Sequence, residues 1–206
     1  MSVTPETAQQ DLAVLSRLMG TTDNVEWRKG FGLIYALWGG VFALALAPEW
    51  ARMAGYVQLP PNYWLWAAAI VTVLLGIGTV WFARRSPPTL GAQAKALNAL
   101  FGGVGCANAV VLVSLILAAN ALKDGRVMMI HAVVVFAFQG AAWFAIWSLR
   151  RRLWIGLVAT GWFAAAILAG LTMATVANFI MVCLLALVFL MTLPGVLMAR
   201  PNLAKV

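Results

Sequence analysis

Charged residues are scarce in this sequence, and acidic residues are the scarcest. The chain has 206 residues, of which 14 are Lys or Arg and 6 are Asp or Glu, whereas 64% are hydrophobic. A soluble protein of this length needs more polar residues to cover its surface. The scarcity of charge therefore argues against a soluble catalytic or ligand-binding domain and predicts an integral membrane protein.

Residue patterns typical of catalysis and metal binding are also lacking. The two cysteines, Cys106 and Cys183, are too far apart for a CxxC motif or a zinc-site spacing, and no HExxH, GxSxG or P-loop motif occurs. The acidic residues are all predicted to lie outside the apolar stretches, which leaves no paired carboxylates and no carboxylate relay for proton-coupled transport. They are Glu6, Asp11, Asp23, Glu26, Glu49 and Asp124. We therefore predict that the protein is not an enzyme and has no cofactor.

Long uncharged stretches separate the clusters of charge. Because a helix of roughly 20 apolar residues crosses a bilayer and charges inside it are costly, each stretch predicts a transmembrane helix. The stretch after Arg152 is too long for one crossing and is divided near Gly170. The fold class is thus an all-α, polytopic membrane protein with six transmembrane helices arranged as three hairpins, in a membrane domain at 29–199. The predicted spans are about 30–47, 62–83, 97–121, 127–149, 153–172 and 176–198.

Basic residues are distributed unevenly between the two ends of these spans. Because cytoplasmic loops are enriched in Lys and Arg, the asymmetry places both termini in the cytoplasm, as expected in a cell inner membrane. Orientation in the membrane explains the excess of basic residues, so no nucleic-acid partner is expected. The lack of an Asn-x-Ser/Thr sequon is compatible with a bacterial source. One end would hold Arg17, Arg28, Lys29, Arg84, Arg85, Lys95, Arg150, Arg151, Arg152, Arg200 and Lys205, and the other Arg52, Lys123 and Arg126.

The segment 1–28 precedes the first span and is predicted to be cytoplasmic. Ala8, Leu12, Leu15 and Met19 recur at helical spacing, which predicts a short amphipathic helix at about 5–19. Two interpretations stay open, a helix lying on the membrane or the spans and a helix that docks a partner. Residues 200–206 form a cytoplasmic tail.

Small residues form one face of the third predicted span. Asn98, Gly102, Gly105 and Ala109 fall within about 60° of arc on a helix. Small residues at this spacing let two helix backbones approach closely, so we predict that the face packs against another helix, with a pore lining as the alternative. The same packing role is predicted for Gly39–Gly40, Gly76–Gly78 and Gly156–Gly161. Among the tryptophans, Trp38, Trp143 and Trp162 are predicted to pack between helices, and the others to lie near span ends.

Polar side chains predicted to lie within the membrane are Thr72, Asn108, His131 and Gln139. Hydrocarbon offers no hydrogen-bond partner, so each must bond to another helix or face water. One interpretation is a hydrogen-bonded cluster between helices. The other is a small polar pathway with His131 at its outer entrance. Met128 and His131 are weak candidates for an outer-side copper or haem site, although methionine is also a common filler of apolar interiors.

These features favour a non-enzymatic accessory, structural or assembly subunit of a membrane complex. The alternative is a channel or facilitator for a small neutral or apolar solute, lined by the polar residues within the membrane. More distant alternatives are the copper or haem site and an enzyme that uses His131 on lipid-soluble substrates. The expected partners are the lipid bilayer and either other membrane subunits or further copies of this chain.

Overall fold

The computed structural model describes residues 25–60, 63–85 and 92–200. Every regular element in these ranges is helical and no strand occurs among them, as the sequence predicts. A 3₁₀ turn, Gly125–Met128, leads into the fourth helix. The predicted amphipathic helix at 5–19 and residues 201–206 of the predicted tail lie outside the described residues. The helices are α1 (Val25–Met53), α2 (Tyr63–Arg85), α3 (Ala92–Leu122), α4 (Met129–Arg150), α5 (Leu153–Thr172) and α6 (Val176–Ala199).

The helices have the length and apolar composition of membrane spans. Five of them qualify over their described residues, and α2 adds a shorter apolar stretch at Trp66–Trp81. Helices of this kind satisfy their own backbone hydrogen bonds, which hydrocarbon cannot do for them. The described chain therefore has the helices of an integral membrane protein. The count of six crossings and their orientation remain predictions.

Helix α1 extends beyond the predicted first span at both ends. It continues through Pro48 and ends at Met53 rather than near Ala47. Glu49 lies inside the helix and is only 5% exposed, so the helix does not end before it as the sequence analysis expected. Arg52, one turn later, donates to both Glu49 carboxylate oxygens, with Nε 2.9 Å from Oε2. This bidentate pair offsets the cost of the buried charge and lets the helix continue.

The core of the bundle is formed by helices α1, α4, α5 and α6. Helix α5 packs between α4 and α6, and α6 packs along α1, while α2 lies on α1 and α3 on α4. Trp143 and Trp162 are each 1% exposed at the centre, which confirms that they pack between helices. Trp38 is half-buried and donates its indole N–H to Thr79 of α2 at 2.9 Å. It therefore also connects two helices, as predicted.

Glycines set the closest contact, where α1 crosses α6. A Cβ atom built on Gly195 would lie 2.5 Å from the backbone nitrogen of Ala36, and one built on Gly32 would lie 2.7 Å from the carbonyl oxygen of Gly195. Only the absence of side chains allows the two backbones to approach this closely. Gly39 serves the same contact against Thr192, which confirms its predicted packing role.

The α1–α6 contact lies beside a π-helical turn in α6, Leu187–Thr192. Pro194 follows this turn, and it has no N–H with which to continue the α-helical hydrogen bonds. Within the π-helical turn, the Thr192 hydroxyl donates to the Leu187 carbonyl at 2.9 Å. In this wider turn the Thr192 hydroxyl is bonded within α6, and the same residue contacts Gly39 of α1.

Candidate functional site

Tyr35 is the centre of a hydrogen-bonded group that joins α1 to α4. Tyr35 as a whole residue is 5% exposed. The Tyr35 hydroxyl accepts a hydrogen bond from Trp143 Nε1 at 2.8 Å and donates one to Gln139 Oε1 at 3.2 Å. Gln139 and Trp143 are four residues apart on α4 and therefore lie on one face of it, toward α1. We call Tyr35, Gln139 and Trp143 the tyrosine cluster.

Aromatic rings from neighbouring helices surround the tyrosine cluster. The Tyr35 ring centroid lies 5.6 Å from that of Trp143 and 6.0 Å from that of Phe101 on α3. Trp154, near the start of α5, contacts Trp143 edge-on at 5.9 Å. Trp162 of α5 lies close enough to interact with the Tyr35 hydroxyl, although its buried Nε1 makes no hydrogen bond of good geometry among the described residues. The cluster therefore lies where α1, α3, α4 and α5 meet.

The arrangement of the tyrosine cluster is suited to holding helices together. The Tyr35 hydroxyl uses both its proton and an oxygen lone pair within the protein. In a membrane such interhelical hydrogen bonds stabilise a bundle by about 0.6–2 kcal/mol each. The geometry thus connects residues more than 100 positions apart in the chain and occupies the Tyr35 hydroxyl, which could otherwise contact a ligand.

The polar residues predicted within the membrane do not form one cluster. Gln139 belongs to the tyrosine cluster, whereas Thr72 is exposed on the outer surface of α2. The His131 ring of α4 approaches the backbone of Asn108 on α3, which forms a second polar contact. The structure therefore brings the predicted residues together as an Asn108–His131 pair and leaves the other two apart from it.

The Asn108–His131 contact leaves polar atoms without partners. Asn108 Oδ1 and His131 Nε2 are both buried, and neither makes a hydrogen bond of good geometry within the described residues. Buried polar atoms are nearly always bonded to protein or to water. Ordered water at each atom would satisfy it without any further ligand.

The predicted copper or haem site has little support from neighbouring ligands. Met128 lies in the 3₁₀ turn before α4, three residues before His131. Among the residues that the structure describes, no three His, Cys, Asp or Glu side chains come together as a metal-binding group. Met128 and His131 thus remain weak candidates for a metal site.

The predicted small-residue face of α3 lies on the outside of the bundle. Asn98, Gly102, Gly105 and Ala109 are all exposed. No atom lies within 4 Å of a Cβ built on Gly102 or Gly105, in contrast to Gly156, which abuts Trp147, and Gly161, which abuts Leu190. Packing is thus confirmed for the α5 glycines, while for the α3 face it stays a prediction that would need a helix from another chain.

Tyr35 is the main residue that the sequence analysis missed. Its hydroxyl was a usable signal, because a tyrosine in the interior of a span needs a hydrogen-bond partner. The pairing with Gln139 and Trp143 had no such signal, since the partners are distant in sequence. No protein-family model, curated protein or solved structure matches this chain. The functional proposal therefore depends on the residues and contacts of this chain.

Proposed function

We propose that this protein is a non-catalytic, six-span integral membrane protein that serves as an accessory, structural or assembly subunit of a membrane complex. Its exposed α3 face is the docking surface for a transmembrane helix of a partner subunit. Both termini are placed on the cytoplasmic side of a cell inner membrane, as the distribution of basic residues favours.

The observation that carries the proposal is the exposure of α3. This helix has a 28-residue apolar segment, Lys95–Leu122, yet no residue in its most apolar stretch of 18 is buried. In the comparable stretches of α1 and α5, 39% of the residues are buried. Half-buried residues of α3 such as Val104, Val111 and Leu115 follow a helical spacing that faces α4, so the opposite side of α3 is left open.

The chemistry of the open side of α3 favours a helix as its partner. Glycine lowers helix propensity and exposes backbone, so two glycines one turn apart on a face that met only lipid would bring no benefit. On a face that meets another helix they allow close backbone contact. Leu112 and Ile116 continue the same face by one and two turns and would pack beside the glycine contact.

The positions of the polar residues favour this role over a channel or facilitator. A solute pathway requires Thr72, Asn108, Gln139 and His131 to line a common space. Thr72 is on the outside of α2, and Gln139 is bonded to Tyr35. The remaining Asn108–His131 contact is local to two helices.

The proposal is tested by the composition of the complex extracted gently from native membranes. The full-length protein and two variants are compared by size and by mass spectrometry. Gly102→Leu with Gly105→Leu fills the α3 face. Gly170→Leu is the matched control, because Gly170 on α5 is also exposed with no atom within 4 Å of a built Cβ. Helical content and monodispersity confirm that each variant folds.

The wild type and the Gly170 control should be recovered with a stoichiometric membrane partner, and the α3 variant should lose it at least tenfold. Recovery of the wild type alone or only as copies of itself would contradict the accessory role. A partner that stays bound to the α3 variant would contradict the docking surface.

A further inference from the structure

The turn between α4 and α5 holds three consecutive arginines. Arg150 ends α4, Arg152 precedes α5, and Arg151 between them has φ 52° and ψ 26°. This left-handed conformation favours glycine, so an arginine there carries a conformational cost. Among the described residues other than glycine, only Lys123 shares a positive φ. The chain thus keeps a guanidinium group where a glycine would be more stable.

Trp147 fixes the position of the Arg151 side chain. The Arg151 guanidinium carbon lies 5.8 Å from the centroid of a Trp147 ring, a cation–π contact. Gly156 of α5 makes room for this ring, because a Cβ there would lie 3.0 Å from Trp147 Nε1. Tryptophan side chains at the ends of spans prefer the headgroup region of a bilayer. In a bilayer the ring would therefore hold Arg151 near the level of the lipid phosphates.

The charged side chains that the structure describes at this end of the bundle are basic. Successive antiparallel helices bring the start of α1, the end of α2, the start of α3 and the end of α6 to the same end as the arginine turn. At the opposite end Glu49 pairs with Arg52, and Asp124 accepts a hydrogen bond from the backbone N–H of Arg126. The basic side chains described at this end are Arg28, Lys29, Arg84, Lys95, Arg150, Arg151, Arg152 and Arg200.

We propose that the arginine turn, Arg151 and Arg152 with Trp147, binds the phosphodiester headgroup of an anionic phospholipid. The ligand chemistry is a phosphate oxygen pair, which a guanidinium binds through two parallel hydrogen bonds. The first turn of α5, which has no side-chain cap, adds backbone N–H donors next to Arg152. The proposal depends on the bundle lying in a membrane and is independent of the accessory role.

The test measures which lipids stay bound to the full-length protein. The protein is reconstituted in vesicles of phosphatidylcholine and phosphatidylglycerol, re-extracted, and analysed by native mass spectrometry. Arg151→Gln with Arg152→Gln is compared with Lys123→Gln with Arg126→Gln at the opposite turn. The control is closely matched because Lys123 also has a positive φ of 55°.

The wild type should retain phosphatidylglycerol in preference to phosphatidylcholine. The arginine variant should lose this preference by roughly 25-fold, since one basic residue near an anionic surface changes binding about fivefold. The Lys123 and Arg126 variant should keep more of the preference than the arginine variant, because general attraction to an anionic surface acts at both turns and the specific headgroup contact at only one. Equal retention of both lipids by the wild type, or an equal loss in the control, would overturn the proposal.

Two further measurements separate the role of Arg151 from a folding defect and a lipid headgroup from free phosphate. Arg151→Gly suits the left-handed backbone, so it should fold at least as well as wild type while it loses about fivefold of the preference. An unchanged preference in this variant would overturn the role of Arg151. Added inorganic phosphate should not displace the retained lipid; displacement would show that the turn binds free phosphate rather than a lipid headgroup.

Discussion

Two of the glycine-bearing helix faces have opposite surroundings. Where α1 crosses α6, Gly32, Gly39 and Gly195 leave so little room that a Cβ atom on any of them would lie under 3.0 Å from the other helix. On α3, Gly102 and Gly105 are equally regular in spacing, yet a Cβ atom on either would meet nothing within 4 Å.

The difference shows that small-residue spacing indicates a packing surface without identifying its partner. The α1–α6 contact is closed within the chain, because α6 returns antiparallel to α1 and presents Gly195 to Gly32. The α3 face has no such helix among the described residues. We propose that the open face of α3 packs against a helix of another protein.

The largest expected effect is at the closed crossing. Gly195→Ala places a methyl group 2.5 Å from the Ala36 nitrogen and forces the two backbones apart. Overpacking of this kind costs about 1–3 kcal/mol, so the free energy of unfolding in mixed micelles should fall by that amount. Gly102→Ala is the control and should leave stability unchanged or raise it by up to about 1 kcal/mol through helix propensity. Equal effects at both positions would remove the contrast between the two faces.

The next largest effect is expected at the tyrosine cluster, which joins α1 to α4. Tyr35→Phe removes two interhelical hydrogen bonds and leaves Trp143 Nε1 and Gln139 Oε1 without that partner. The expected loss in the free energy of unfolding is about 1–2 kcal/mol. Tyr56→Phe, at a tyrosine that is 74% exposed, is the matched control. Unchanged stability in Tyr35→Phe would mean that the cluster does not hold α1 to α4.

The smallest effect concerns α2, the other peripheral helix. Thr79→Val keeps the shape of the side chain and removes the acceptor for Trp38 Nε1, which joins α2 to α1. Interhelical bonds of this kind average about 0.6 kcal/mol, and the loss should be of that size. Thr160→Val is the control, because that hydroxyl bonds only to carbonyls of its own helix. A loss as large as that of Tyr35→Phe would place α2 in the core.

Much of the helical architecture could be predicted from charge spacing. The helices α2 to α6 begin and end within a few residues of the predicted spans, because clusters of charge and proline mark their ends. Helix α1 differed because Arg52 pairs with Glu49 one turn away, which lets a carboxylate stay inside the helix. A hydropathy profile scores each residue by itself and therefore does not detect such a pair.

The candidate site was predicted less well than the helices. Gln139 could be predicted to need a partner, but not that the partner would be Tyr35, which is 104 residues away. Thr72 was predicted to lie within the membrane, as were Asn108 and Gln139, but such a prediction says nothing about which side of its helix a residue faces. Contacts between distant helices depend on how the bundle closes, and no local pattern in the sequence records this.

The most direct test of the account is site-specific photo-crosslinking in native membranes. Benzoylphenylalanine placed at Ile116, on the open face of α3, should yield a discrete protein adduct that disappears when Gly102 and Gly105 are changed to Leu. The same probe at Leu157, which is 71% exposed on α5, should give no such adduct. Crosslinking to protein at Leu157 but not at Ile116, or no protein adduct at either position, would contradict the proposal that α3 docks a partner.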